Sequence, residues 1–172
     1  MKKKYRLILL FILLVLVLIY IKTIHPYIQR RNVKAELAEE WEIDIAPEYK
    51  LTAIKKNKQQ WHGEQQKFIL FESDNLSNLY KYINDNNFNQ DKIGLDSIKR
   101  VVEIEDILNV ERKYRVDFDS DYLYKMFMKQ KVSLGSEQKN DLLYVFLIKK
   151  NNKIKVFFIE DLNVLDLERS LL

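Results

Sequence analysis

An unbroken apolar run from Leu7 to Ile21, opened by Met1-Lys-Lys-Lys-Tyr-Arg and closed by Lys22, constrains this chain more than any other feature. A helix that is apolar all round must be covered on every side, by protein or by lipid. The basic cluster Lys2, Lys3, Lys4 and Arg6 at its start argues against a core helix. Fifteen helical residues reach about 22 Å, against a hydrocarbon core of about 30 Å. Extending the helix from Tyr5 to Ile24 supplies the missing turns. Arg6 and Lys22 then snorkel outward, and Tyr5 and Tyr20 stand at the interfaces. A cleaved signal peptide shares the basic start and the short run, but it needs small residues at the cleavage site. Here the run leads into Tyr20-Ile-Lys-Thr-Ile-His-Pro26, and the first alanine is Ala35. The expectation is an uncleaved anchor held by the lipid bilayer through Leu7–Ile21.

Charge is distributed in a way that sets both orientation and partners. Residues 1–32 hold seven Lys/Arg and no acid, whereas residues 33–172 hold 22 Lys/Arg against 25 Asp/Glu. The basic pI of the whole chain therefore belongs to the anchor, and a nucleic-acid partner is not expected. The N-terminal flank concentrates its cations, while Lys22, Arg30, Arg31 and Lys34 are spread along the other flank. The positive-inside rule then places the N-terminus in the cytoplasm and the C-terminal domain outside, a single-pass cell-membrane protein. The chain has no cysteine, which excludes disulfides, Cys-ligated zinc, iron–sulfur clusters and lipidation on Cys. Its three glycines form neither GxGxxG nor GxxxxGK[ST]. No cofactor is expected.

The rest of the chain divides into a juxtamembrane stalk, 25–46, behind the 1–24 anchor, and a domain, 47–172. Pro26 is expected to kink or restart the helix. From Asn32 as a cap, Val33, Leu37 and Trp41 recur every four residues, making a short amphipathic helix that packs on the domain or lies on headgroups. Within the domain, Tyr49–Ile54 and Lys67–Phe71 read as strands around the polar turn Lys55–Gln60. Asp74 caps a helix with Leu76, Leu79, Tyr80 and Ile83 on one face, and an Asn-rich loop, Asn84–Gln90, follows. Ile98–Leu108 suggests a second helix, although Val102/Ile104 also fits a strand, and Tyr114–Phe118 alternates as a half-buried strand. Leu142–Ile148 and Ile154–Ile159 form a hairpin whose continuous apolar strands belong mid-sheet. Asn151 and Asn152 suit the positive-φ positions of its turn. Leu162–Leu172 is expected to close the domain as a helix. The fold class is α+β: an N-terminal transmembrane helix, then an antiparallel sheet with two or three packing helices.

Candidate chemistry is sparse. Of two histidines, His25 stands at the membrane exit and His62 in Trp61-His-Gly-Glu64. That segment reads either as a hairpin turn with Gly63 at positive φ or as a polar cluster in which His62 and Glu64 bind or move a proton. Asp117-Phe-Asp-Ser-Asp121 imitates the opening of a calcium loop, but Tyr122 and Met128 stand where that loop wants Gly and Glu. Tyr122-Leu-Tyr-Lys-Met-Phe-Met128 has the Met and aromatic density of an adaptable binding face, which core packing explains equally well. The binding candidates are therefore Trp61, His62, Glu64, Tyr122, Tyr124, Met126 and Met128, with no catalytic or metal-ligating residue expected.

The basic start and single apolar segment are followed by the Trp61-His-Gly-Glu64 turn, Phe68–Phe71, Tyr114–Phe118 and the hairpin ending Phe157-Phe-Ile-Glu-Asp161. Over about residues 47–161 this order resembles a loose group of small, single-pass membrane-anchored proteins of unknown function from low-GC Gram-positive bacteria. Members carry a His-Gly-Asp-Gly-like turn between their first two strands; Gln65 departs from the second glycine. The resemblance implies a cell-envelope location and transfers no activity. The leading expectation is a non-catalytic envelope module that binds a protein partner, such as an accessory or immunity-type factor. The alternative is a hydrolase at the membrane surface working through Glu64 with Asp117 or Asp119.

Overall fold

The computed structural model describes residues 2–57, 65–74, 88, 93–131, 139–150 and 152–165. The chain separates into two units, 1–46 and 47–172.

The first unit is helical. Helix α1, Lys2–Ile19, runs into a π-helical turn, Tyr20–Ile24, and on into α2, His25–Trp41. Leu10 to Ile21 are all exposed, Leu10 and Phe11 by about two thirds. At 1.5 Å per residue α1 is about 27 Å long, close to the thickness of a bilayer core. The protein thus has one long apolar helix near its N-terminus, compatible with a single-pass membrane anchor. Pro26 does not interrupt the helix. Its missing N–H falls just after the π turn, where the His25 N–H reaches back five residues to the Tyr20 carbonyl. Asn32 is not a cap, because α2 passes through it; elongating an existing helix costs less than nucleating a new one. Val33, Leu37 and Trp41 are buried, as their spacing predicts. The helix stops where Glu42 takes φ 59°, so that the Ile43 N–H turns back to the Leu37 carbonyl at 3.3 Å.

The second unit is built on five antiparallel strands: β1 (Lys50–Lys56), β2 (Gln65–Ser73), β3 (Tyr122–Lys131), β4 (Lys139–Lys150) and β5 (Lys153–Leu165). Their spatial order is β1-β2-β5-β4-β3. The hairpin strands β4 and β5 do lie mid-sheet, with Asn152 at φ 57° in their turn. Phe68, Leu70, Phe146, Phe157 and Ile159 share one face, on which helix α3, Leu95–Ile107, packs Val101 and Ile104. The other face carries Ile69, Phe71, Leu143, Val145 and Phe158, also buried. With both faces of β2, β4 and β5 removed from water, their apolar runs need not alternate.

Two further sequence expectations are corrected. Tyr114–Phe118 is not a strand: Arg112–Tyr114 is a 3₁₀ turn, and the Val116 N–H donates to Glu105 Oε1 at 2.8 Å. The alternation reflects burial of Val116 against α3, with a carboxylate in place of a neighbouring strand. Leu162 does not open a helix either. It continues β5 opposite Gln65, and Val164 and Leu165 pair with Asn140 and Lys139. The helix expected after Asp74 and most of Asn84–Gln90 lie outside the described residues. The architecture is α+β.

Candidate functional site

Strand β3 carries four of the residues singled out by sequence, and the structure divides them. Pairing with β4 sets Tyr122 opposite Ile148, Tyr124 opposite Phe146, Met126 opposite Tyr144 and Met128 opposite Leu142. Even-numbered positions therefore share the face on which α3 packs. Tyr122 and Tyr124 are half-buried against the core, with the Tyr122 ring edge-on to Phe146 and Phe118. Met126 and Met128 continue the same row into solvent, 47% and 57% exposed. β3 is the last strand in the sheet order, so its outer backbone edge has no strand partner among the described residues. An edge of ten residues with two exposed methionines can accept another strand by main-chain hydrogen bonds while thioethers adapt to its side chains. The facing row includes Lys125 and Lys129; Lys125 Nζ lies 4.6 Å from the centre of the Phe127 ring. Such charges discourage indiscriminate edge pairing.

Trp61, His62 and Glu64 lie outside the described residues. The base of their loop is described, and it is polar. Asn57 and Gln66 bond reciprocally: the Gln66 N–H donates to Asn57 Oδ1 at 2.8 Å, and Asn57 Nδ2 donates to Gln66 Oε1. Gln66 Nε2 donates to Asp161 at 3.3 Å. Arg100 of α3 grips the same carboxylate with Nε and Nη2 at 2.7 and 2.9 Å and reaches Glu103 with Nη1. On the opposite face, Lys67 and Glu160 face each other across β2 and β5 at 3.8 Å, both almost fully buried.

Asp117 and Asp119 stand at the other end of the sheet. The Asp117 carboxylate accepts from Lys150 Nζ at 2.8 Å and Ser120 Oγ at 2.7 Å, which lower its pKa to about 2. Gln65, next to Glu64 in sequence, pairs with Leu162, whereas Lys150 pairs with Lys153. Nine positions along β5 separate these points, about 30 Å at 3.3 Å per residue. Gln65 therefore lies far along the sheet from the Lys150–Asp117 pair. Among the described residues no three His, Asp or Glu side chains gather as a metal site requires.

Glu105 was not singled out by sequence. It is buried under the 111–116 segment, and desolvation, opposed by the Val116 N–H, raises its pKa to about 7. An acid between Ile104 and the exposed Asp106, on the apolar face of a helix, was the available signal.

These features define a five-stranded antiparallel α+β domain following an apolar N-terminal helix. No family model, curated protein or solved structure matches the chain.

Proposed function

We propose that this protein is a membrane-anchored, non-catalytic binding module of the cell envelope, displayed outside the cytoplasm, that takes a protein partner along β3. The observation that carries the reading is the edge of β3, which has no strand partner among the described residues, with Met126 and Met128 exposed beside Tyr122 and Tyr124. Aromatic residues set in the core supply rigid anchors, and the methionines supply adaptable contact area. The apolar helix and the basic flank before it support anchoring with the N-terminus inside. An accessory or immunity-type role fits such a surface, as does kinship with the small anchored proteins of low-GC Gram-positive bacteria.

A photo-crosslinking residue placed at Met126 in the full chain, in the native membrane, tests the reading. A discrete adduct is expected from position 126 and not from Val102, exposed on α3. The Met128→Arg change should abolish it. Equal labelling from both positions, or none from position 126, would sink the proposal. Protease added to intact protoplasts should degrade the domain and leave a membrane fragment; full protection would overturn the orientation.

A further inference from the structure

A groove of about 1110 Å³ opens at the end of the sheet where β4 turns into β5. One wall is the 112–119 segment after α3, and the other is formed by Lys150, Lys153 and Lys155. Six cationic side chains line it against three acids, although residues 47–172 together are nearly neutral, with 21 Lys/Arg and 20 Asp/Glu. Two of the acids are already engaged: Asp117 with Lys150 at 2.8 Å and Glu72 with Lys155 at 3.5 Å. Arg112 and Lys153 have no acidic partner among the described residues, and the Asp119 carboxylate has no cationic one. The floor is apolar, made by Val116, Phe118, Ile148 and Phe157.

We propose that this groove binds a phosphorylated sugar or polyol. The Arg112 guanidinium fork and the Lys153 ammonium both line the groove, match the geometry and charge of a phosphate, and are not held by an acid among the described residues. A dianionic phosphate also offers Lys150 more charge than one carboxylate does. Asp119 supplies a free acceptor for ligand hydroxyls, and the Phe118 floor suits the C–H face of a sugar. The volume exceeds what inorganic phosphate needs and lies just above the range of small-ligand pockets, about 300–1,000 Å³. The surface is separate from the outer edge of β3, so the inference stands independently of the protein-binding reading.

The test is calorimetric titration of the full chain in phosphatidylcholine nanodiscs with glucose 6-phosphate, inorganic phosphate, glucose and poly-glutamate. Saturable binding of glucose 6-phosphate is expected, with weaker binding of inorganic phosphate and none of glucose. The Arg112→Gln/Lys153→Gln variant, altered only at exposed positions, should weaken it by about tenfold or more. Asp119→Asn should weaken glucose 6-phosphate and leave inorganic phosphate unchanged or tighter, a split that general loss of charge or of folding would not produce. Repetition in discs containing phosphatidylglycerol separates the sources: competition identifies a lipid headgroup, and its absence a soluble ligand. No saturable binding, equal binding of poly-glutamate, or an unaltered affinity in the double variant would overturn the proposal.

Discussion

Where β2 begins and β5 ends, the buried charges are each matched by an opposite one: Asp161 by the partly exposed Arg100, and Lys67 by Glu160. Where β4 turns into β5, charges of the same kinds stand around an open groove, and Arg112 and Lys153 are left without acidic partners among the described residues. A buried charge must be paired because its desolvation costs several kcal/mol, whereas an exposed one keeps its water and can exchange it for a ligand. Charge count therefore does not separate structural from ligand-binding residues. Burial and commitment do.

Perturbing the committed end should have the largest effect. Lys67→Met removes the buried cation that faces Glu160 across the sheet and should cost about 3–5 kcal/mol in denaturant melts of the full chain. Lys67→Met/Glu160→Met should recover most of that loss; failure to recover would show that the pair is needed for more than mutual neutralisation.

Glu105 gives a pH signature of intermediate size. Its carboxyl holds a proton up to about pH 7 in the folded protein and up to about 4.5 in the unfolded chain. Between those values the native state binds more protons, so its stability falls as pH rises and levels off above the window. The loss should be on the order of 3 kcal/mol, and Glu105→Gln should flatten that part of the profile. An unchanged slope in Glu105→Gln would assign it to other groups.

Arg100→Lys keeps the charge but loses the two-point grip on Asp161, and should cost about 1–2 kcal/mol by thermal melt. Lys153→Gln at the open end should change stability by no more than about 0.5 kcal/mol. A large loss there would erase the contrast between the two ends.

Legibility in sequence followed the range of the forces involved. The apolar N-terminal helix and the β4–β5 hairpin were readable because both rest on runs of neighbouring residues, Leu7–Ile21 and Leu142–Ile159. Tyr114–Phe118 misled because alternation reports burial and not the identity of the hydrogen-bond partner, here Glu105, eleven residues before Val116. The groove was not legible at all. Its walls, near Arg112 and Lys153, come from segments about forty residues apart that only the sheet order brings together. On β3, the sequence marked Tyr122 to Met128 as one element, and packing split it into inner and outer halves.

The position of β5 bears on how the domain is made. Synthesised after the other four described strands, it is inserted between β2 and β4, so that until it arrives β1–β2 and β3–β4 share no edge. Two-stranded hairpins are marginal in water, and partners as distant as Gln65 and Leu162 pay for loop closure before they gain contacts. The nascent chain therefore emerges with its apolar strands open, and no order of events along the chain completes the sheet early. Emergence of β5 sets the earliest moment at which the sheet can close, and a chain truncated before Lys153 should be left as a substrate for chaperones and proteases.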